Sequence, residues 1–264
     1  MTPYHAAALA FGHGLRLLPR RLRWPVLLSA SRLATPLIPR ADGQAAAGMG
    51  IDSWRDIALW RLMMAAAASG LGYDPIVEQR GREHLESALE SGRALLIAAP
   101  HSLLGYVIFR ILRDRGHTPV AITSGPHVPV FGTTDLARVV PVSETLLAEV
   151  VRTFRAGGIV CAMIDRPSPE PNAFGIQTPI GPIYISDALL RFALRERASI
   201  LFCTARIEDG RLVLTWAAPS HSAGTDGVGS EFAAFVAARI EEGHGGDGPK
   251  ARTFSTQARA IPAR

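Results

Sequence analysis

His101 stands directly behind an apolar run and in front of a helical one, in the stretch LLIAAPHSLLGYVIFRIL that spans residues 95–112. Pro100 keeps residue 99 extended, so a strand is expected to end there and to deliver the imidazole to the entry of a helix beginning near Ser102. The partial positive charge of a helix N-terminus disfavours imidazolium, which leaves the ring neutral and able to accept a proton. Such a ring can serve as a general base that deprotonates a hydroxyl attacking a thioester or ester, with backbone N–H groups of the same turn meeting the oxyanion. The same local pattern also suits a histidine that caps a helix inside the core.

Further candidate groups follow later apolar runs. Ser124 and His127 leave the run at 119–123, either to bind polar groups of an acceptor or to form a turn with Pro126 and Pro129. Asp165 and Arg166 follow the run GIVCAMI at 158–164 and reach the same expected edge. Asp165 reads as a second partner for His101, or as an aspartate that orders a loop or pairs with Arg166. Cys161 lies mid-strand among apolar neighbours, where a buried, inert thiol is expected. The eight histidines are scattered and neither cysteine has a nearby ligand, so no metal site is read. Gly12-His13-Gly14 precedes no strand-to-helix unit and is no nucleotide fingerprint, and no internal repeat is present.

The elements that must position these groups alternate. Runs rich in β-branched residues at 94–99, 119–123, 138–142, 158–164, 199–204 and 211–216 predict strands. Apolar residues at helical spacing separate them: Leu85, Ala88 and Leu89; Val107, Ile108, Ile111 and Leu112; Leu146, Leu147, Val150, Val151 and Phe154; Phe232, Phe235, Val236 and Ile240. A further helix is expected over 52–69, capped by Asp52 or Ser53. The fold class read from this order is α/β, a mainly parallel central sheet flanked by helices, with an antiparallel hairpin over 199–216 turned at Glu208-Asp209-Gly210. In such sheets ligands sit beyond the carboxyl ends of the strands, and His101 falls at one of them.

A chain of 264 residues, 48% hydrophobic and 19% charged, suits one large domain, read here as 1–242 with a flexible tail over 243–264. Two cysteines, Cys161 and Cys203, argue against a disulfide framework and for a reducing compartment, so a cytoplasmic location is expected. Charge is uneven. Residues 1–40 carry Arg16, Arg20, Arg21, Arg23, Arg32 and Arg40 and no acidic residue, against a net charge of +5 for the whole chain. This basic lead implies an anionic partner, whether phospholipid headgroups, an acidic carrier protein or nucleic acid, or else an arginine-rich composition with no partner at all. Leu15, Leu17, Leu18, Leu22, Leu27 and Leu28 interleave with these arginines, punctuated by Pro19 and Pro25. They fit short amphipathic helices that lie at a membrane interface or pack back on the domain, and no window is apolar enough to span a bilayer.

Residues 76–113, IVEQRGREHLESALESGRALLIAAPHSLLGYVIFRILR, resemble the entry to the catalytic region of the lysophospholipid acyltransferase superfamily. The nearest likeness is to the bacterial lipid A lauroyl and myristoyl acyltransferases and the related phosphatidylinositol mannoside acyltransferases. The family's Glu-Gly-x-Glu-His-Leu helix, apolar strand and His-x4-Asp/Glu are matched by Arg82-Glu83-His84-Leu85, the strand at 94–99 and His101. The likeness continues through GIVCAMIDRP and through TPIGPIYISDALLRFALRERASILFCTARIEDGRL, and covers most of residues 10–240. It implies an acyltransferase fold and transfer of an acyl group from a carrier-protein or CoA thioester to a hydroxyl or amine of a lipid, glycolipid or specialised metabolite. No cofactor, metal or nucleic acid is implied, and a peripheral place on the inner face of the plasma membrane is.

The sequence departs from the family where the chemistry would be. The acid five places after the histidine is Tyr106, a phenol that can hydrogen-bond imidazole but supplies no counter-charge at neutral pH. Thr123-Ser124-Gly125-Pro126-His127 stands where the family tends to carry an arginine, and the Phe-Phe-Gly segment reads Thr178-Pro179-Ile180-Gly181. The resemblance therefore implies His101 as base with Tyr106 as its orienter and Asp165 as a further catalytic candidate. It implies Ser124, His127, Arg166, Thr178 and Gly181 as substrate contacts. A non-catalytic acyl-binding relative, or a hydrolase or transacylase on the same fold, are the alternatives.

Overall fold

Strand β2 (Leu95–Ala99) is buried at every position, as a strand covered on both faces must be. It lies at the centre of a computed structural model that describes residues 10–11, 13–15, 17–34, 62, 77–100, 107–123, 137–143, 145–166, 173–178, 181–208 and 211–243. Around it runs a seven-stranded sheet in the order β1-β10-β9-β2-β5-β3-β4. The strands are β1 (Val77–Arg80), β3 (Val120–Thr123), β4 (Arg138–Pro141), β5 (Ile159–Met163), β9 (Ser199–Glu208) and β10 (Arg211–Trp216). From β9 to β4 all neighbours are parallel. The β9–β10 hairpin is antiparallel, and β1 joins its outer edge parallel to β10. The α/β class and the 199–216 hairpin follow the sequence pattern.

Helices cover both faces. Alternate strand residues Leu95, Ile97, Ala99, Cys161, Leu201 and Cys203 face α1 (Arg20–Ala34), α2 (Arg82–Glu90) and α3 (Val107–Asp114). Their neighbours Leu96, Ala98, Val160, Ala162, Ile200 and Phe202 face α4 (Leu146–Arg155), α5 (Asp187–Arg195) and α6 (Thr225–Gly243). This division by parity is the two-residue period of a strand buried on both sides. α3 shows what holds such a helix. Its β-branched Val107, Ile108 and Ile111 have modest helix preference, so the burial of Val107, Ile108, Phe109, Ile111 and Leu112, about 1.5–3 kcal/mol each, sustains it.

Each crossover helix stops the same way before the next strand. The N–H of His117 reaches the carbonyl of Leu112 at 3.0 Å, that of Gly158 reaches Thr153 at 2.8 Å, and that of Ala198 reaches Ala193 at 2.9 Å. In the first two stops the left-handed residue is Gly116 or Gly157, whereas in the third it is Arg197, at φ 57°. These tight stops return the chain to β3, β5 and β9 within a few residues, and so keep the strands in register.

The hydrophobic pattern does not mark every element. β1 (VEQR) is half-buried along its length and polar in three of four positions, and it exists because β10 offers it an edge. β9 runs on to Glu208 through Ala205, Arg206 and Ile207, because β10 pairs with it there. A second sheet, β6 (Asp165–Arg166), β8 (Gly181–Ser186) and β7 (Ala173–Thr178), is antiparallel throughout. It packs through Phe174 and Ile185 against Gly229 of α6, where a methyl would collide with the Phe174 ring. Of the helix expected over 52–69 only Leu62 is described, helical and buried, and the tail after residue 243 lies outside the described residues.

The leucine-rich lead resolves into two sides. Leu15, Trp24 and Leu27 are buried against the sheet with α2 and α3, while Leu17, Leu22 and Leu33 are exposed. Among the described residues no helix is long and apolar enough to cross a membrane.

Candidate functional site

The carboxyl edge of the sheet is stepped, and β2 ends in the step. β9 pairs with β2 only through Ser199–Phe202, and its remaining residues, Cys203–Glu208, pair with β10 instead. Since Ala98 stands opposite Phe202, β9 continues five residues past the level of Ala99, about 17 Å at a strand's rise. β1 and β10 lie alongside this extension and form a wall on one side of the notch. On the other side β5 does not stop at Met163, which is opposite Ala99, but passes through Ile164 into β6. The two walls are each one strand from β2, which sets their strands about 10 Å apart on either side of its end, and residues 101–106, which follow β2 in the chain, lie outside the described residues.

Ile164 stitches this second wall together. Its N–H donates to the carbonyl of Ala99 at 3.1 Å, and its carbonyl accepts the N–H of Ser186 at 2.8 Å. Three segments therefore meet at one point: the end of β2, the passage from β5 to β6, and the passage from β8 into α5. Asp165 is the next residue, half-buried and opposite Ile185 in the second sheet. Because Ala99 and Met163 share a register position, His101 and Asp165 each follow by two residues the ends of adjacent parallel strands.

His101, Tyr106, Ser124 and His127 lie outside the described residues, as does the expected helix start at Ser102. The other candidates are placed as follows. Asp165 and Arg166 form β6. Thr178 and Gly181 face each other at the closed end of the β7–β8 hairpin. Gly181 is four residues along β8 from Ile185, so this hairpin end is about 13 Å of strand from Asp165. The structure thus joins Asp165 and Arg166 to the end of β2 and sets Thr178 and Gly181 at the far end of the small sheet.

The first wall is braced by charge. Arg80 of β1 donates to Glu208 of β9 at 2.8 and 3.2 Å and to Glu78 at 2.9 Å. Arg206 donates to the same Glu208 carboxylate and, through Nη1, to the carbonyl of Arg239 in α6 at 2.6 Å. Burial by itself would raise the Glu208 carboxyl, but the hydrogen bonds from Arg206 and Arg80 outweigh it and hold the group below the ordinary glutamate range. This network fixes the outer end of the hairpin to α6 and keeps the wall standing.

Neither thiol is poised to react. Cys161 is opposite Ile97 in β5, Cys203 is level with Ala99 in β9, and both are free and buried. Burial pushes the Cys161 thiol far up, and burial, followed by the repulsion that a Cys161 thiolate would exert, does the same for Cys203. Both stay protonated at neutral pH and act as core side chains.

One polar feature of the wall is not evident from composition. Trp216, opposite Cys203 and so level with Ala99, is buried on the α1–α3 side, and its indole Nε1 has no hydrogen-bond partner. The side-chain oxygen of Gln79 in neighbouring β1 is likewise buried without one. Both groups lie in the outer wall, Trp216 two strands from β2 and Gln79 three, and each buried polar group left unpaired costs about 1–3 kcal/mol. The run RLVLTW reads in sequence only as a strand, and the indole gains meaning once register sets it level with Ala99. Among the described residues no cluster of histidine, cysteine, aspartate and glutamate can hold a metal ion. No family model matches this chain, and a search of curated proteins finds no match either.

Proposed function

We propose that the protein is a divergent acyltransferase that works at the carboxyl end of β2, with His101 as general base and Tyr106 as its hydrogen-bonding orienter. The observation that supports this reading is the notch. The strand that leads to His101 stops short between two walls, and the adjacent strand leads to Asp165 at the same register distance. In a parallel sheet that is where a substrate is held and where a strand-end residue reaches it.

The reaction follows from the groups. A nitrogen of His101 takes the proton of an acceptor hydroxyl as its oxygen bonds to the thioester carbonyl carbon. The carbonyl oxygen takes the negative charge of the tetrahedral intermediate and is met by backbone N–H groups. When the carbonyl re-forms, the carbon–sulfur bond breaks, and the proton held by His101 passes to the departing thiolate. Asp165 supplies the carboxylate that Tyr106, a phenol, does not. The donor is a carrier-protein or CoA thioester, and the acceptor is a hydroxyl or amine on a lipid, glycolipid or related metabolite.

Thiol release from acyl carrier protein and CoA thioesters of graded chain length tests the reading, with acceptors added and the acylated product identified by mass spectrometry. His101→Ala is expected to lower turnover by about 10²–10⁴ with ligand binding retained. Thioester hydrolysis without acceptor acylation would assign a hydrolase instead. Binding without turnover in either form would assign an acyl-binding protein.

A further inference from the structure

β9 gives its two edges to different partners. The N–H of Ser199 donates to the carbonyl of Ala94, just ahead of β2, at 2.8 Å, whereas the carbonyl of Phe202 accepts the N–H of Ala217, just past β10, at 3.0 Å. Backbone groups alternate between the edges of a strand. The N–H and C=O of Leu201, Cys203, Ala205 and Ile207 therefore point to the β2 side, and those of Thr204, Arg206 and Glu208 point to β10.

The β2 side of this edge loses its partner at Pro100. By the same alternation the carbonyl of Cys203 would next accept the N–H of residue 100, and proline has none, so pairing stops at Ala98 and Phe202. Past that level, among the described residues, no strand pairs with β9 on that side. The edge holds, in order, the carbonyl of Cys203, the N–H and carbonyl of Ala205, and those of Ile207. Cys203 is buried and Ala205 half-buried, where backbone polar groups call for a partner.

A row of this kind selects its guest by spacing and not by charge, and an extended chain that carries amides matches it, as in recognition by strand addition. The row also starts at a defined place. Cys203 is level with Ala99, and Ala205 is as far past that level as His101 is past Ala99 in the chain. Carrier-protein and CoA thioesters both present such a chain, because the pantetheine arm between their sulfur and phosphate carries two amides in series.

We propose that the β9 edge at Cys203–Ile207 binds the pantetheine arm of the acyl donor as an added strand, its amides paired with the backbone of Ala205 and Ile207 and its sulfur near the end of β2. The inference rests on the acyl-transfer reading of this site and adds how the donor is held.

Hydrogen exchange of the full chain, followed by NMR with and without S-octyl pantetheine, tests it, since this thioether cannot transfer its group. The N–H groups of Ala205 and Ile207 are expected to exchange freely in the unbound protein and to slow about ten-fold or more on binding, while that of Arg206, already bonded to β10, stays as it was. Ala205→Pro removes one of these donors without touching a bond to β10, and is expected to raise Kd about five- to ten-fold. S-octyl N-acetylcysteamine keeps one amide and is expected to bind the wild type more weakly by the same factor, a comparison that needs no variant. Titration with S-octyl CoA and with S-octyl acyl carrier protein identifies the carrier as the one bound more tightly. Ala205 and Ile207 already protected in the unbound protein would overturn the proposal, because the edge would then be taken by the chain itself, as would equal affinity for the two analogues. Thioester turnover indifferent to the amides would leave acyl transfer standing and remove this mode of holding the donor, and binding as described without turnover would do the reverse.

Discussion

The backbone N–H of Ile164 donates to the carbonyl oxygen of Ala99 at 3.1 Å, which ties the last residue of β2 to the first residue beyond β5. Through this bond the segment that leads to His101 and the segment that leads to Asp165 leave the sheet side by side. The place of Asp165 beside the end of β2 therefore depends on a main-chain contact, which substitution of the Asp165 side chain leaves in place.

Tyr106→Glu tests what the tyrosine contributes. A carboxylate there would supply the counter-charge to imidazolium that a phenol lacks. Under the proposed mechanism turnover with a hydroxylated lipid acceptor is expected to rise, by about ten-fold or more in kcat, measured as thiol release with product confirmed by mass. A fall in kcat with unchanged KM would show instead that the phenol itself is required.

Gly81 caps α2 at φ 68°, and a methyl on it would overlap the carbonyl oxygen of Trp216. Gly81→Ala combines a left-handed backbone with a clash against main chain, which cannot swing aside as a side chain can. A loss of about 2–3 kcal/mol is expected in urea unfolding, together with a change in Trp216 fluorescence as β10 shifts.

Arg197 ends α5 in the left-handed conformation at φ 57°, the position that glycine occupies after α3 and α4. Arg197→Gly removes that backbone strain at the cost of a more flexible unfolded chain. A gain of about 0.5–1 kcal/mol, or roughly 2 °C in Tm, is expected by calorimetry. An unchanged or lower Tm would show that the arginine side chain compensates.

Glu208 governs part of the acid limb of stability. Its folded carboxyl lies below the ordinary range, because the hydrogen bonds from Arg206 and Arg80 outweigh the opposing effect of burial. Its stabilisation is therefore complete above the unfolded value, about 4.3, and is lost as pH falls through the lower folded value. Glu208→Gln is expected to be less stable than wild type at neutral pH and flatter in that acid window, measured as urea midpoint against pH.

Cys161 and Cys203 are buried with their thiols pushed up by burial, so neither should react in the folded state. Iodoacetamide at pH 8 is expected to leave both unmodified in native buffer and to alkylate both in guanidinium, read by intact mass. Modification of Cys161 without denaturant would show that the core beside β2 opens.

The sequence alone determined the alternation of strand and helix, the strand at 94–99, the 199–216 hairpin and the buried, inert character of Cys161. Each of these follows from local apolar content and its period, which leave a mark on any folded chain. Only tertiary structure decided the rest. Val77–Arg80 is a strand because β10 lends it an edge, and Arg206 continues β9 for the same reason, so neither has an apolar signature. Phe174, Ile176, Ile183 and Ile185 do alternate, but Gly175 and Pro182 interrupt them, and it is pairing across the hairpin that makes them a sheet. The notch itself has no sequence signal, because it is a difference in length between neighbouring strands, and register is set by pairing across the chain and not by any residue's own preference. The two sides of α1 divide the same way. Its leucines and arginines announce an amphipathic helix, while the sheet's packing decided that Trp24 and Leu27 turn inward and Leu22 and Leu33 are left to solvent.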